Sequence, residues 1–577
     1  MNTIWRVSTY LLRYRLLFLL TLSLALGSTF FAIMVPKVIR GVINEAIQAQ
    51  SNTAMTGALL VAICYFGREL LNSLRIRVNN TLEQKVLFDL RSDLHRKLMD
   101  LPVSYFDGNR SGEIASRVTE DVQTVERALL DGTEQGLSAL LMILGIMMTL
   151  LFMEPLLALF VILPLPVVIS LSIWHASATR KNWKAVRESS GEMNSLLIED
   201  IQANRLIHSF ALKDREHGRF QTIATELKQR TLVAMYRWSL HGPFSAFISS
   251  LGMVSVVGIG GYLITHRPHF QTGDLVAFFL YAGMLYEPIR LLTGLNHMIS
   301  AAIPCGKRVF EILDHPVLVF SPEKPVSFPE TSAMKVAFEN VEFAYPERNQ
   351  ILHQFNLTLN AGQTTAIVGS TGAGKSTVAN LLMRYYDVHA GTVRINGTDL
   401  RSLNLETLRA HIGYVSQDPF LFDGTVEFNL QLGKSNASHQ EMVQALIHAN
   451  AWNFVRRLPN GLQTQIGEKG IRLSMGEKQR LTIARMILKS PPIIILDEAT
   501  SSVDTLTERS IQEALEALMK NRTVLMIAHR LSTIRNAHQI VVLDQGSIIE
   551  RGTHDTLLRH QGVYARMWQH QSDWIIP

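Results

Sequence analysis

Six apolar stretches, at Leu16 to Val35, Ala54 to Leu74, Gly136 to Met153, Leu156 to Trp174, Phe244 to Thr265 and Leu275 to Leu295, dominate the first half of this chain. Each is close to the roughly 20 residues that a helix needs to cross a bilayer. The hydrocarbon layer offers no water to the backbone, so a spanning segment has to satisfy its own N–H and C=O groups, and the six stretches are expected to be membrane helices. Arg6, Arg13 and Arg15 precede the first one, as in a secretory leader, but it is too long for a leader's apolar core and is expected to stay as a span. The short lead Ile4 to Tyr14, with Trp5 and Tyr10, reads as an amphipathic helix lying on the cytoplasmic face.

Orientation is set by the loops. The turn between the third and fourth spans is only Glu154-Pro155, whereas the segment from the fourth to the fifth carries Arg180, Lys181, Lys184, Arg187 and more basic residues up to Arg237. Positive charge stays inside, which puts the long segments, about Arg75 to Gln135 and His175 to Leu240, and both termini in the cytoplasm of a multi-pass protein of the inner (plasma) membrane. The same flanking residues account for the net charge of +6 and the pI of 9.2, so no nucleic-acid partner is expected. Cys64 and Cys305 are the only cysteines and imply no disulfide framework.

Composition changes beyond Met334. Pro322, Pro325 and Pro329 break periodicity in Val317 to Ser332, and strands are expected at Lys335 to Phe338 and Val341 to Tyr345. The expected domains are a six-helix transmembrane domain at 1–316, a linker at 317–334 and an ATP-binding domain at 335–577. In the last of these, the apolar strand Thr365 to Val368 runs into Gly369-Ser370-Thr371-Gly372-Ala373-Gly374-Lys375-Ser376, and a helical run from Thr377 to Arg384 comes next. This is the G-x-x-x-x-G-K-S loop in its strand–loop–helix context. Glycines let backbone N–H groups close around phosphate oxygens, the helix N-terminus adds positive dipole, Lys375 reaches the β and γ phosphates and Ser376 ligates Mg²⁺. Alone, such a loop leaves a kinase, a small GTPase and a transport ATPase all open.

Motifs downstream of the loop narrow the choice. Leu473-Ser474-Met475-Gly476-Glu477, then a basic helix, then Ile493 to Leu496 ending in Asp497-Glu498, resemble the signature and Walker B elements of ATP-binding-cassette (ABC) ATPases. Tyr345 before the loop, Gln417 in Val-Ser-Gln-Asp-Pro-Phe, Asp504 in Ser-Ser-Val-Asp and His529 in Ile-Ala-His-Arg are similar to further landmarks of that family. Tyr105-Phe106-Asp107 with Gly112 to Arg117, and Ala277-Phe278 through to Pro288-Ile289, are similar to subfamily B-type exporters, so the chain resembles a half-transporter of the type IV exporter fold. That implies an N-terminal all-α polytopic membrane domain with long cytosolic extensions, fused to a C-terminal α/β P-loop ATPase domain.

The resemblance also implies roles. Glu498 would be the catalytic base and His529 would hold the attacking water. Tyr345 would stack on adenine, although an aromatic in a strand is commonly core. The loop residues Gly369 to Ser376 and Thr377 would bind ATP; Ser376, Gln417 and Asp497 would hold Mg²⁺. Ser474, Gly476 and Glu477 would cap the ATP of a partner subunit, with Asp504 in the D-loop. One ATPase domain therefore calls for a second half-transporter, either another copy or a related chain. Met475 and Glu477 depart from the family's usual Leu-Ser-Gly-Gly-Gln, as one half of a heterodimer can. Glu199 to Phe220 would carry a helix that couples to the partner's ATPase domain.

ATP-driven export of a hydrophobic or amphiphilic substrate, lipid or drug-like, is the function this implies, with membrane lipids around it; peptide or siderophore transport and a nucleotide-gated channel or regulatory ATPase stay open. Arg68, Glu69, Glu287 and Arg290 are candidates to line a translocation path, since charge at membrane depth usually faces a cavity. Met142, Met147, Met148, Met253 and Met284 with Phe278 and Phe279 are candidates for an adaptable apolar pocket or for plain packing.

Overall fold

The computed structural model describes residues 3–47, 51–329, 334–346, 350–497, 505–528 and 534–572. They form two compact units, one of residues 1–99 and 111–315, the other of residues 100–110 and 316–577.

The first unit is all helix. A short α1 (Thr3–Arg13) leads into α2 (Arg15–Ile47) and α3 (Ser51–Asp100). After α4 (Val103–Gly108), which is counted with the second unit, come α5 (Ser111–Ser116), a π turn at Arg117–Asp121 and α6 (Val122–Met153). The first unit closes with α7 (Pro155–Ile162), α8 (Pro164–Gln202), α9 (Asn204–Ser209), α10 (Lys213–His266) and α11 (Thr272–Asp314). Among the described residues six helical stretches contain an apolar window long enough to cross a membrane. Glu154, in extended conformation, ends α6 and Pro155 occupies the first turn of α7, where its missing N–H costs nothing, so the two spans reverse in a single residue.

Helical periodicity, rather than apolar length, carries the parts outside the spans. On α3, Leu82, Val86, Leu90 and Leu94 recur every fourth residue and all are fully buried, the stripe that a long amphipathic helix needs. In the spanning part, Phe278 and Tyr281 are fully buried among α2, α6, α7, α10 and α11, and the Tyr281 hydroxyl donates to the Ile33 carbonyl at 2.7 Å. Phe278 is thus core, whereas Phe279 and Met148 are exposed and Met142, Met147, Met253 and Met284 pack against the core. The seven side chains therefore do not share one pocket within this chain. Glu287 and Arg290 are exposed, and Arg68 pairs with its exposed neighbour Glu69 at 3.5 Å. Cys64 and Cys305 are both free thiols.

The second unit is α/β. Its larger sheet has the order β10-β9-β3-β8-β7-β6, made of β3 (Thr364–Gly369), β6 (Ile412–Val415), β7 (Ile493–Asp497), β8 (Thr523–Ile527), β9 (Gln539–Asp544) and β10 (Ser547–Gly552). All pairs except β10–β9 are parallel. The strands read as near-continuous runs of Ile, Val and Leu because both faces are covered. The smaller sheet is antiparallel, β2-β1-β4-β5, from β1 (Val336–Ala344), β2 (Gln350–Leu359), β4 (Ala390–Ile395) and β5 (Thr398–Asp399).

Two local expectations need correction. The strands expected at 335–338 and 341–345 are one strand, β1, whose pairing with both neighbours slips around Asn340, because that residue sits at φ +49° and bulges the strand. The helix after the loop, α12 (Lys375–Leu382), begins two residues earlier than expected and stops before Arg384, whose φ of +48° cannot continue a helix.

Candidate nucleotide site

The parallel sheet positions the site. In its strand order β3, β8, β7 and β6 are neighbours, and their carboxyl ends carry the phosphate loop, the approach to His529, Asp497 and the approach to Gln417. Ligands of open α/β sheets bind along that edge. With strands about 4.8 Å apart, β3 and β7 bring the loop and Asp497 within about 10 Å of each other across β8. Asp497 is the last residue of β7, paired with Ile527, and Gln417 is exposed two residues past β6. Glu498, Asp504 and His529 lie outside the described residues, as do Ser501, Ser502 and Val503.

The loop geometry is set by its glycines. Gly374 caps α12 at φ +102°, in the left-handed region closed to most side chains. Gly369 faces the Leu543 carbonyl so closely that a Cβ there would overlap it. Between them Ser370, Thr371 and Gly372 are exposed and Ala373 is buried; beyond Gly374, Ser376 is exposed and Thr377 is buried. Lys375 is 5% exposed, and its ammonium donates to the carbonyls of Gly369 at 2.8 Å and Ser370 at 2.9 Å. The charge is therefore folded back over the loop, at the first turn of a helix whose leading N–H groups have no intrahelical acceptor. Such a cradle fits a polyphosphate. Among the described residues no three His, Cys, Asp or Glu side chains gather as a metal cage.

Two tyrosines flank the site. The Tyr414 hydroxyl, from β6, donates to Asp497 Oδ2 at 3.0 Å. Burial and then the Asp497 charge push that hydroxyl's pKa up, so Tyr414 stays a donor that orients the carboxylate. Sequence reasoning missed it, since only the β6–β7 pairing brings it there; its place just before Val415-Ser416-Gln417 was the available signal. Tyr345 comes directly after β1, half-buried, with edge-on contacts to Phe343 and Tyr386 at 5.0 Å each. Its hydroxyl accepts from Asn380 at 3.0 Å and donates to Thr377 at 3.3 Å, which ties it to α12. Both the aromatic packing and the position beside the loop helix belong to this residue.

Signature residues stand on a separate helix, Met475–Lys489. Ser474 is its N-cap and Glu477 completes a capping box: the carboxylate accepts from the Ser474 N–H and hydroxyl, both at 2.8 Å, and the Glu477 N–H donates to Ser474 Oγ at 3.4 Å. Ser474 and Met475 are exposed and Gly476 is buried. The short helix α9 lies inside the segment expected to couple, with Leu206 and Phe210 exposed. Asp107, in α4, accepts from the Tyr386 hydroxyl at 2.8 Å within the second unit.

Residues 18–289 match the ABC transporter transmembrane region and residues 352–501 match the ABC transporter family. The chain is 37% identical to an ATP-dependent lipid A-core flippase of Syntrophus aciditrophicus (strain SB), over 85% of this chain and 81% of that protein. It is 37% identical to a fatty acid ABC transporter ATP-binding/permease protein of Mycobacterium bovis, over 89% of this chain and 80% of that one. A solved structure of a bacterial Atm1-family ABC exporter with ATP bound is similar over 97% of this chain and 98% of its own, with a TM-score of 0.81 and 29% identity.

Proposed function

The chain belongs to the ABC transporter family, as a half-transporter with six membrane helices and one ATPase domain, and from that premise we propose that it exports a hydrophobic or amphiphilic molecule, lipid or drug-like, across the inner membrane. A half-transporter works as a dimer. The observation that carries the reading is the pairing on one chain of a folded phosphate loop around Lys375 with a signature helix capped at Ser474, each half of an ATP site.

In the proposed cycle Gly369 to Thr377 bind the triphosphate, with Lys375 turning from its own loop carbonyls to phosphate oxygens. Tyr345 flanks the adenine. Ser376, Asp497 and Gln417 would hold Mg²⁺ together with the phosphates, and the ion would supply neutralisation of the phosphate charge. Tyr414 fixes the orientation of Asp497, Glu498 takes the proton of the attacking water and His529 holds that water. Ser474, Gly476 and Glu477 of each chain close over the nucleotide of the other, beside Asp504. Two nucleotides bound tightly only in the closed state provide the about 5.5 kcal/mol needed to reverse a 1:99 conformational ratio. The amphiphile class is supported by the relatives that move lipid A-core and fatty acid. The partner is a second copy or a related half-transporter.

The test is Glu498→Gln. ATP binding should persist while turnover falls by about 10²- to 10⁴-fold, and ATP-driven accumulation of a labelled amphiphile in inside-out vesicles should stop. Turnover near the wild-type rate would remove Glu498 from the base role, and accumulation without hydrolysis would remove the pump.

A further inference from the structure

Glu126, on α6, is 1% exposed, and neither of its carboxylate oxygens has a hydrogen-bond partner. It sits about ten residues before Gly136, where the apolar window begins, and so about 15 Å outside the span, on the cytosolic extension. Two contacts fix how α3 runs against the α5–α6 segment. Arg75 bonds Glu134, and Arg91 donates to the Thr119 carbonyl at 3.4 Å. Stepping the same distance along both antiparallel helices from the Arg75–Glu134 contact reaches Glu83 on α3 and Glu126 on α6, two carboxyls at matching heights on the two helices and within reach of each other's charge. Glu83 is half-buried.

The charged surroundings do not relieve the pair. Asp131 on α6 adds negative charge, while Arg127 on α6 and Arg91 on α3 oppose it. From the other helices packed on α6, Arg308 of α11 is committed to Asp121 at 2.6 Å, Arg6 of α1 to Asp314, Arg13 of α1 to Asp89 at 3.4 Å, and Arg15 at the start of α2 is exposed. An ionised Glu126 here would be a buried, unbonded anion facing another carboxylate, whereas one proton removes the conflict.

We propose that Glu83 and Glu126 form a proton-binding carboxylate pair that latches the cytosolic extension of α3 to α6. A proton held at Glu126 neutralises that carboxyl and leaves one negative charge on the pair; when it leaves to solvent, two like charges face each other and the helices separate to hydrate them. Burial, then the Glu83 charge, push the Glu126 carboxyl up to about 8, against an ordinary carboxyl once hydrated. The latched arrangement binds the proton more tightly, so it is favoured at acid pH. It loses ground as pH rises from the ordinary carboxyl range near 4.5 through about 8, and nothing further changes above that.

The latch belongs to the helix pair and is independent of the ATP site. Its test uses the full-length protein in lipid nanodiscs without nucleotide. Spin labels go on Phe88→Cys and Glu120→Cys, both exposed, with Cys64 and Cys305 replaced by serine. The distance between them should be short at about pH 5.5 and shift to a longer population by about pH 8.5. Glu126→Gln should hold the short distance across that range, and Glu83→Gln should move the midpoint up. A wild-type distance that ignores pH, or an unchanged pH response in Glu126→Gln, would overturn it. Infrared spectra of the unmutated protein give an independent check. A protonated-carboxyl band should persist at neutral pH and vanish toward about pH 9, and its absence at neutral pH would equally overturn the proposal.

Discussion

Lys375 shows how a single side chain can be stored in readiness. Two carbonyls of its own loop hold the ammonium at 2.8 and 2.9 Å, so it is desolvated yet satisfied, and a phosphate replaces those partners without exposing a bare charge. Lys375→Ala should therefore weaken ATP binding by about ten- to a hundredfold, the worth of charge-assisted hydrogen bonds of about 1.5–3 kcal/mol. Equal nucleotide affinity by calorimetry would contradict the loop assignment. At this scale the sequence was most legible where the chemistry is consecutive, from Gly369 to Ser376, because eight neighbouring residues carry the whole cradle. Tyr414 and Glu126 were not legible, since a strand pairing and a helix register far along the chain create their environments.

Among elements, the signature helix is the informative one. Met475 and Glu477 read as departures from the family pattern, but the pattern cannot say what the carboxylate does; the fold shows it closing a capping box on Ser474. A carboxylate there stabilises the helix and also sets negative charge at an N-terminus proposed to meet a triphosphate. Ser474→Ala should lower the stability of the ATPase domain by about 0.5–2 kcal/mol, read by denaturant titration. Met475→Gly with Glu477→Gln should raise the ATPase rate of the lone chain if the two residues weaken the cap. An unchanged rate would make them neutral variation. Elements with strong periodicity were readable, as the six spans were, whereas the bulge that merges two expected strands into β1 depends on one left-handed Asn340.

At the scale of the whole molecule, orientation and assembly decide function. The basic segments predict that a cysteine placed beside Glu154, in a background without Cys64 and Cys305, reacts with an impermeant maleimide from outside intact cells, and that one at the exposed Glu188 does not. The reverse labelling would invert the topology. The central claim is that two chains share each ATP site, and it has a direct measurement in doubly tagged, co-purified mixed dimers of this chain. When one chain carries Lys375→Ala and the other Ser474→Arg, one composite site keeps both good halves, and ATP hydrolysis should continue at roughly half the wild-type rate or below. When a single chain carries both substitutions beside a wild-type chain, neither site is whole and hydrolysis should be lost. Equal rates from the two arrangements would contradict the account.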